Sequence, residues 1–247
     1  GTSNVAVGKD ALVSNTTANN NTAIGSGAGA AITTGTNNTA IGKDSLKAQT
    51  TSNGSVAVGE SAILGSTGAF NIGIGNSTLR ASGAGANNTA VGESALRNNT
   101  SASNNTAVGY QAGTANTTGT QLTAVGWRAF YSQTTPNENT GFGYAAGYNT
   151  TTGASNSAFG KESLVSNTTG GSNTAIGASA LYSNTTASNN TAVGYQAGYS
   201  NVTGAENTFI GRVAGYSTTN SYNVAVGDAA LYSNTSGGTN TAVGKSA

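Results

Sequence analysis

The sequence contains no cysteine and no histidine. Without cysteine there is no disulfide framework, iron–sulfur cluster, zinc–thiolate site or cysteine nucleophile. Without histidine there is no imidazole acid–base catalysis, and the commonest transition-metal ligand is missing. Charged residues make up only 7% of the 247 residues, and nine basic against eight acidic side chains leave a net charge of +1. This charge offers no basic stripe to nucleic acid, so we expect no nucleic-acid partner, no metal and no cofactor.

Large apolar residues are also scarce, since Leu, Ile, Val and Phe together number only 37. Such a content is typical of disordered chains when the net charge is high, which is not the case here. No apolar run approaches the length of a membrane span, so we expect no membrane insertion. Gly1 enters the repeat described below without an initiator methionine or a signal segment, which suggests a segment of a longer chain. Order in this chain must come from regularity rather than from a thick core.

What the sequence does contain is a repeat of 17 residues. A motif of the form Asn-Thr-Ala-Val/Ile-Gly occurs fifteen times, with two spacings of 16 residues and all others of 17. The motif glycines are Gly8, Gly25, Gly42, Gly59, Gly75, Gly92, Gly109, Gly126, Gly143, Gly160, Gly177, Gly194, Gly211, Gly227 and Gly244. A fixed period of this length indicates a repeat architecture, here in a single continuous domain over 1–247.

The alternation within the motif predicts a short strand. Thr and Val/Ile fall on one strand face and Ala and Gly on the other, and we expect the Val/Ile face to point inward. Seventeen residues at about 3.3 Å each give a path of roughly 56 Å, which suits one narrow coil with two or three short strands. Coils stack about 4.8 Å apart, so fifteen would form a rod roughly 70 Å long. The sequence therefore predicts an all-β fold, a parallel β-solenoid (β-roll) of about fifteen 17-residue coils.

Residues at equivalent positions of successive coils form columns. Asn lies four residues before the motif glycine in thirteen copies, Ser55 and Leu122 being the exceptions. Stacked amides in such an asparagine column can hydrogen-bond to those above and below. We predict a structural ladder that includes Asn21, Asn38, Asn88, Asn105, Asn173, Asn190 and Asn240.

A second column, four residues after the motif glycine, carries either a large apolar residue such as Leu12 or a glycine such as Gly29. We call it the leucine column. Its large residues could fill a single coil, whereas its glycines would leave the core thin. A thin core would favour packing against neighbouring chains.

The motif resembles the head repeats of trimeric autotransporter adhesins, in which three chains are wound into a left-handed parallel β-roll. The nearest matches are the segments 4–8 (Asn-Val-Ala-Val-Gly), 55–59 (Ser-Val-Ala-Val-Gly) and 223–227 (Asn-Val-Ala-Val-Gly). Similar repeats occur in phage tail fibres and bacterial surface fibre proteins. The resemblance covers all fifteen coils and implies a homotrimer on a cell or virion surface, with a host surface or a glycan as its target.

Two surface columns are candidate binding features. Six tyrosines lie five residues after the motif glycine, in what we call the tyrosine column: Tyr131, Tyr148, Tyr182, Tyr199, Tyr216 and Tyr232. They either stack on one another or form a strip that contacts a sugar or a neighbouring filament. Ten threonines lie three residues before the glycine, as Thr22 and Thr39 do. This threonine column resembles the flat face of ice-binding β-solenoids, but we expect it to point inward with Val/Ile.

The sequence favours a structural role over an enzymatic one. Carboxylates such as Asp10 and Asp44 lie two coils apart, about 10 Å along the stack, which does not suit paired acid–base catalysis. We predict a subunit of an extracellular structural fibre that associates with itself end to end or laterally. The alternatives are a trimeric adhesin head or phage tail-fibre shaft that binds a receptor or glycan, and, as a minor one, an ice-binding solenoid.

Overall fold

The computed structural model describes residues 1–81 and 83–247. Each copy of the motif forms one three-residue strand. The strands are β1 (Val5–Val7), β2 (Thr22–Ile24), β3 (Thr39–Ile41), β4 (Val56–Val58), β5 (Ile72–Ile74), β6 (Thr89–Val91), β7 (Thr106–Val108), β8 (Thr123–Val125), β9 (Thr140–Phe142), β10 (Ser157–Phe159), β11 (Thr174–Ile176), β12 (Thr191–Val193), β13 (Thr208–Ile210), β14 (Val224–Val226) and β15 (Thr241–Val243). The chain divides into two compact units, residues 1–122 with β1–β7 and residues 123–247 with β8–β15.

Within each unit, consecutive strands pair in parallel and in register. In the first unit Ala23 of β2 lies beside Ala40 of β3, and in the second Ala158 of β10 lies beside Ala175 of β11. The register follows the repeat, so each strand is paired with its own copy one coil later. This arrangement confirms the predicted all-β fold, a parallel β-solenoid with one coil per repeat. The placement of all 247 residues in a single domain stays a prediction.

Each coil contains one strand among the described residues, not the two or three that we predicted. After the motif glycine the chain instead makes successive turns, in which the Gly25 carbonyl accepts from the Ala28 N–H at 3.2 Å and the Gly27 carbonyl from the Ala30 N–H at 3.3 Å. Left-handed residues recur in this segment, as at Leu46 with φ 50°. They prevent an extended strand. Bonds between coils continue nevertheless, for example from Leu46 N–H to the Ala62 carbonyl at 3.1 Å.

The motif glycine is required by both its backbone conformation and its neighbours. All fifteen have φ between 119° and 145°, a region that side chains disfavour. A Cβ on Gly25 would also lie 2.6 Å from the carbonyl oxygen of Gly42 in the next coil. The column of glycines therefore lets successive coils approach closely at the end of each strand.

The strands face the opposite way from our prediction. The central Ala23 of β2 is fully buried, whereas Ile24 is 40% exposed. In every strand from β2 to β14 the central residue is buried and the third residue is exposed or half-buried. The predicted inward orientation of the Val/Ile face is therefore wrong. The leucine column explains the reversal, because it already fills the coil opposite the strand. Where Gly73 takes the alanine place, an added Cβ would lie 2.7 Å from Cγ1 of Ile63, so not even a methyl group fits there unless Ile63 shifts.

The core is not thinned by the glycines of the leucine column, which corrects a second expectation. Large residues from neighbouring positions fill the space. A Cβ on Gly29 would lie 3.0 Å from both Ile32 and Leu12, and one on Gly198 would lie 2.6 Å from the ring of Phe209. Each unit thus closes its own core. A thin core consequently gives no reason for packing against another chain.

Candidate functional site

Asparagine side chains connect successive coils from inside. The backbone N–H of Asn38 donates to Oδ1 of Asn21 at 2.9 Å, and Nδ2 of Asn21 donates to the Gly35 carbonyl at 2.8 Å. In the second unit, the N–H of Asn190 donates to Oδ1 of Asn173 at 3.0 Å. The bonds thus run mainly from side chain to backbone, rather than from amide to amide as we expected. Each coil is positioned by the one before it.

All seven asparagines that we assigned to the ladder make bonds of this kind: Asn21, Asn38, Asn88, Asn105, Asn173, Asn190 and Asn240. Direct contacts between side-chain amides also occur, as from Nδ2 of Asn240 to Oδ1 of Asn223 at 3.0 Å. The side chains lie inside the coils, except that Asn240 is only partly buried. They hold the stack together and present almost no amide surface to a ligand.

A second set of asparagines completes the internal network. The Ala187 carbonyl accepts from Nδ2 of Asn173 at 2.8 Å and from Nδ2 of Asn184 in its own coil at 3.0 Å. The Gly204 carbonyl is shared in the same way. A carbonyl oxygen has two lone pairs, so this arrangement satisfies the acceptor as well as both amides. The burial of so many polar groups is stabilised by their mutual hydrogen bonds.

The two 16-residue coils disturb this network. The amide Nδ2 of Asn207, just before the second short coil, is buried without a hydrogen-bond partner. At the equivalent place before the first short coil the sequence has Ser55, whose Oγ accepts from the N–H of Asn71 at 3.3 Å. A coil shortened by one residue displaces the carbonyl that an asparagine would reach. Ser55 has no amide to leave unpartnered, whereas Asn207 at the equivalent place does.

The outward side of the strands forms a regular surface on each unit. We call it the strand face. It consists of the first and third residues of every strand, mostly Thr and Val/Ile. In the first unit Ile24, Ile41, Ile74 and Val108 are exposed, and in the second Phe142 is 41% exposed and stacks on Phe159 with ring centroids 5.2 Å apart. An exposed apolar column that continues from coil to coil is unusual for a surface that contacts only water.

The tyrosine column forms two stacks in the second unit. Tyr131 and Tyr148 have centroids 5.2 Å apart. After Val165 interrupts the column, Tyr182, Tyr199, Tyr216 and Tyr232 follow at 4.9, 5.1 and 5.0 Å. The rings are nearly parallel, so they cover one another's faces and present mainly their edges and hydroxyl groups. This geometry favours the stacking interpretation over a strip that binds sugars through ring faces.

Burial in this stack raises the pKa of Tyr199, and the neighbouring Tyr182 and Tyr216 raise it further. Its hydroxyl group therefore stays protonated to a higher pH than that of a free tyrosine.

A second aromatic group surrounds the only tryptophan. The Trp127 ring stacks on Tyr144 with centroids 4.5 Å apart and nearly parallel planes. Cζ of Arg128 lies 4.5 Å from the centroid of Trp127 and 5.1 Å from that of Tyr131. The guanidinium group thus joins this stack to the tyrosine column through cation–π contacts.

In the first unit, the position that the tyrosine column occupies in the second unit carries other residues, which we did not predict as a site. Five residues after the motif glycine lie Lys47, Leu64, Arg80 and Arg97 instead of tyrosines. The signal was present in the sequence, because arginine occupies this position in two successive coils.

Some of the remaining charges form ion pairs at the surface. Lys47 lies 2.9 Å from Asp44 and Arg212 lies 2.9 Å from Asp228, and such pairs contribute little to stability. Among residues 1–81 and 83–247 there is no group of three acidic side chains placed to hold a metal ion. Over the same residues, no helix has the length and hydropathy needed to cross a membrane.

Comparison with known proteins finds no family model, no curated protein and no solved structure that matches the chain.

Proposed function

We propose that this chain is a structural segment of an extracellular fibre on a microbial or viral surface, and that copies of the chain pack side by side through their strand faces. The observation that carries the proposal is the outward Val/Ile column. Fifteen coils each place Val, Ile or Phe there, although the core closes without these side chains. A chain that folded only for itself would gain solubility from polar residues at these positions.

A second copy is the natural occupant of this surface. The strand face repeats the same side chains at about 4.8 Å intervals within each unit, so two such faces can interdigitate along their length. Closed symmetric assemblies bury the same patch of each subunit. An apolar column of this kind would then be covered along the whole of each unit rather than at one point.

The internal network supports a mechanical role. Asparagine bonds, close glycine contacts and backbone pairing connect each coil to the next, and the stiffness of the segment follows from their repetition. The buried amides present almost nothing to a substrate. These features favour a load-bearing segment over an enzyme.

The resemblance to adhesin heads and phage tail fibres gives the finer form of the proposal. Three copies with their strand faces directed toward a common axis would form a trimeric head or shaft. The corner residues, including the tyrosine column, would stay on the outside of such a trimer. Binding to a receptor or a glycan would then involve these corners.

One observation favours a second candidate function. The threonine column lies on the strand face together with Val/Ile, as in β5–β6 where Ile72 pairs with Thr89. Our reason for discounting an ice-binding face was its expected inward orientation, which the fold reverses. A flat array of hydroxyl and methyl groups on an unassembled chain would suit adsorption to ice.

Sedimentation analysis of the full chain separates these functions. We expect assemblies of two or more chains of 24.0 kDa, and a mass of three chains would favour the trimer. The triple variant Ile24→Lys, Ile41→Lys, Ile74→Lys should sediment as a monomer and keep its circular dichroism, because these side chains lie outside the core.

The matched control carries lysine at exposed threonines of the corner segment, Thr17, Thr34 and Thr51. It adds the same charge and should assemble like the parent chain. A parent chain that stays monomeric at high concentration would contradict the fibre proposal. If that monomer also inhibited ice growth, the second candidate would replace it.

A further inference from the structure

Two arginine side chains lie side by side on the corner of the first unit. Arg80 and Arg97 occupy the same position of consecutive coils. Backbone bonds hold this register, from Gly65 N–H to the Arg80 carbonyl at 3.1 Å and from Ala81 N–H to the Arg97 carbonyl at 2.9 Å. The two guanidinium groups therefore start from adjacent, rigidly spaced backbone positions.

The surroundings of Arg80 and Arg97 differ from those of the paired basic residues. Four of the other basic side chains, Lys43, Lys47, Lys161 and Arg212, form ion pairs with carboxylates, and Arg128 lies over aromatic rings. Within the part of the chain that the structure describes, no carboxylate lies at ion-pair distance from Arg80 or Arg97. Two like charges on neighbouring coils repel each other, and a bound anion would remove that repulsion.

The arginines border a shallow concavity. Its volume is about 230 Å³, and it is lined by Leu64, Arg80, Ala81, Arg97 and Asn98. Clefts for drug-sized ligands measure about 300–1,000 Å³, so this one suits a smaller group. It combines two cationic groups, one amide and the apolar side chains of Leu64 and Ala81.

We propose that this concavity binds an acidic saccharide, with Arg80 and Arg97 holding the oxyanion of a sulfate ester or a carboxylate on one sugar residue. A guanidinium group matches such oxyanions with two parallel hydrogen bonds. Asn98 hydrogen-bonds a sugar hydroxyl, and the side chains of Leu64 and Ala81 contact the ring carbons. Two cations on a chain of net charge +1 are too few for the phosphate contacts of duplex nucleic acid.

This inference goes beyond the fibre role and uses no residue of the strand face. Its failure would leave the assembly of the chain untouched, and a monomeric chain could still bind the sugar.

NMR titration of the arginine side-chain resonances in the full chain tests the proposal. The probes are lactose carrying a 3′-sulfate ester, unmodified lactose and inorganic sulfate. We expect the sulfated sugar to shift the Arg80 and Arg97 resonances, lactose to leave them unchanged, and inorganic sulfate to bind more weakly than the sulfated sugar. Each of Arg80→Gln and Arg97→Gln should weaken binding about tenfold or more, as the loss of a charged hydrogen bond does.

The control variant Arg212→Gln removes the same charge from an arginine that has its own carboxylate partner, and it should bind like the parent chain. Equal binding by all three variants would overturn the proposal, as would the absence of any shift with the sulfated sugar. Inorganic sulfate binding as tightly as the sulfated sugar would overturn the saccharide part, because the pair would then be a site for a free anion.

Discussion

Exchanging two core residues of the second unit tests how this narrow solenoid fills its interior. Phe209 takes the place that Ala holds in most strands, and its ring occupies the space beside Gly198 and Gly215. The change Phe209→Ala would restore the usual strand residue but empty this space. The change Gly215→Leu would restore the usual leucine but drive its side chain into the Phe209 ring. Together the two substitutions recreate a core like that of the other coils.

The expected free energies make the two changes strongly dependent on each other. Loss of a buried phenyl ring costs about 3–5 kcal/mol. Overpacking costs about 1–3 kcal/mol, and a leucine with left-handed φ adds about 1 kcal/mol, so independent effects would reach roughly 7 kcal/mol. The double variant loses six ring carbons and gains four, a net loss of two carbons worth about 0.8 kcal/mol each. With the backbone cost, we expect a loss of about 3 kcal/mol for the double variant, which leaves a coupling of roughly 4 kcal/mol between the two substitutions.

Hydrogen exchange of the amides in residues 194–230 measures the opening free energy of these coils directly. Urea unfolding followed by circular dichroism gives the corresponding loss for the whole chain. The control combines Gly215→Leu with Leu46→Ala, a core substitution in the first unit. The losses in unfolding free energy from these two substitutions should add within about 0.5 kcal/mol. Additive losses for Phe209→Ala and Gly215→Leu would refute the reasoning, because the ring would then not be what replaces the missing leucines.

Three further predictions concern single residues. Asn190→Ser should lower the free energy of unfolding by about 1–3 kcal/mol, since it loses the bond from Nδ2 to the buried Gly204 carbonyl. Asn207→Ser should cost under about 1 kcal/mol in the same urea titration, because Nδ2 of Asn207 is already unpartnered. Tyr222→Asn should raise the free energy of unfolding, measured by thermal melting, by about 0.5–1 kcal/mol, because the exposed tyrosine has φ 64° and asparagine tolerates that conformation better. An unchanged free energy would mean that the tyrosine ring makes compensating contacts. The raised pKa of Tyr199 means that the folded chain holds the hydroxyl proton more tightly than the unfolded chain does. The resulting contribution of Tyr199 to the free energy of unfolding is complete below the unfolded pKa of 10.0 and is lost as the pH rises through the folded pKa. The melting temperature should fall less steeply with rising pH across this alkaline range for Tyr199→Phe than for the parent chain. An unchanged dependence on pH would show that Tyr199 is not the group responsible.

The architecture could be predicted from the sequence, because the period of the motif equals the number of residues in one coil and so sets the register between successive strands. Its alternation also grouped Thr with Val/Ile correctly on one strand face. It did not reveal which face points inward. That choice depends on what lies across the coil. The leucine column, in the left-handed segment after the glycine, places buried Leu46 in the interior that Ile41 would otherwise fill.

The core exceptions were visible in the sequence but could not be interpreted from it. Gly198 and Phe209 both depart from their columns, yet only their contact across the coil shows that one compensates the other. The surface was partly predictable. A column of tyrosines at a fixed position suggests stacking once coils are about 4.8 Å apart, whereas the concavity beside Arg80 and Arg97 depends on the shape of the corner.

The direction of the asparagine bonds has a mechanical consequence. Oδ1 of each ladder asparagine accepts from the next coil, and these bonds lie along the stacking direction within a unit. A force that pulls a unit from its ends would therefore break these asparagine hydrogen bonds one coil after another. Each released coil would lengthen the chain by about 50 Å, the difference between 17 extended residues and one stacking interval. Pulled singly, the chain should lengthen in uniform steps; shear between side-by-side copies would have to break many contacts at once.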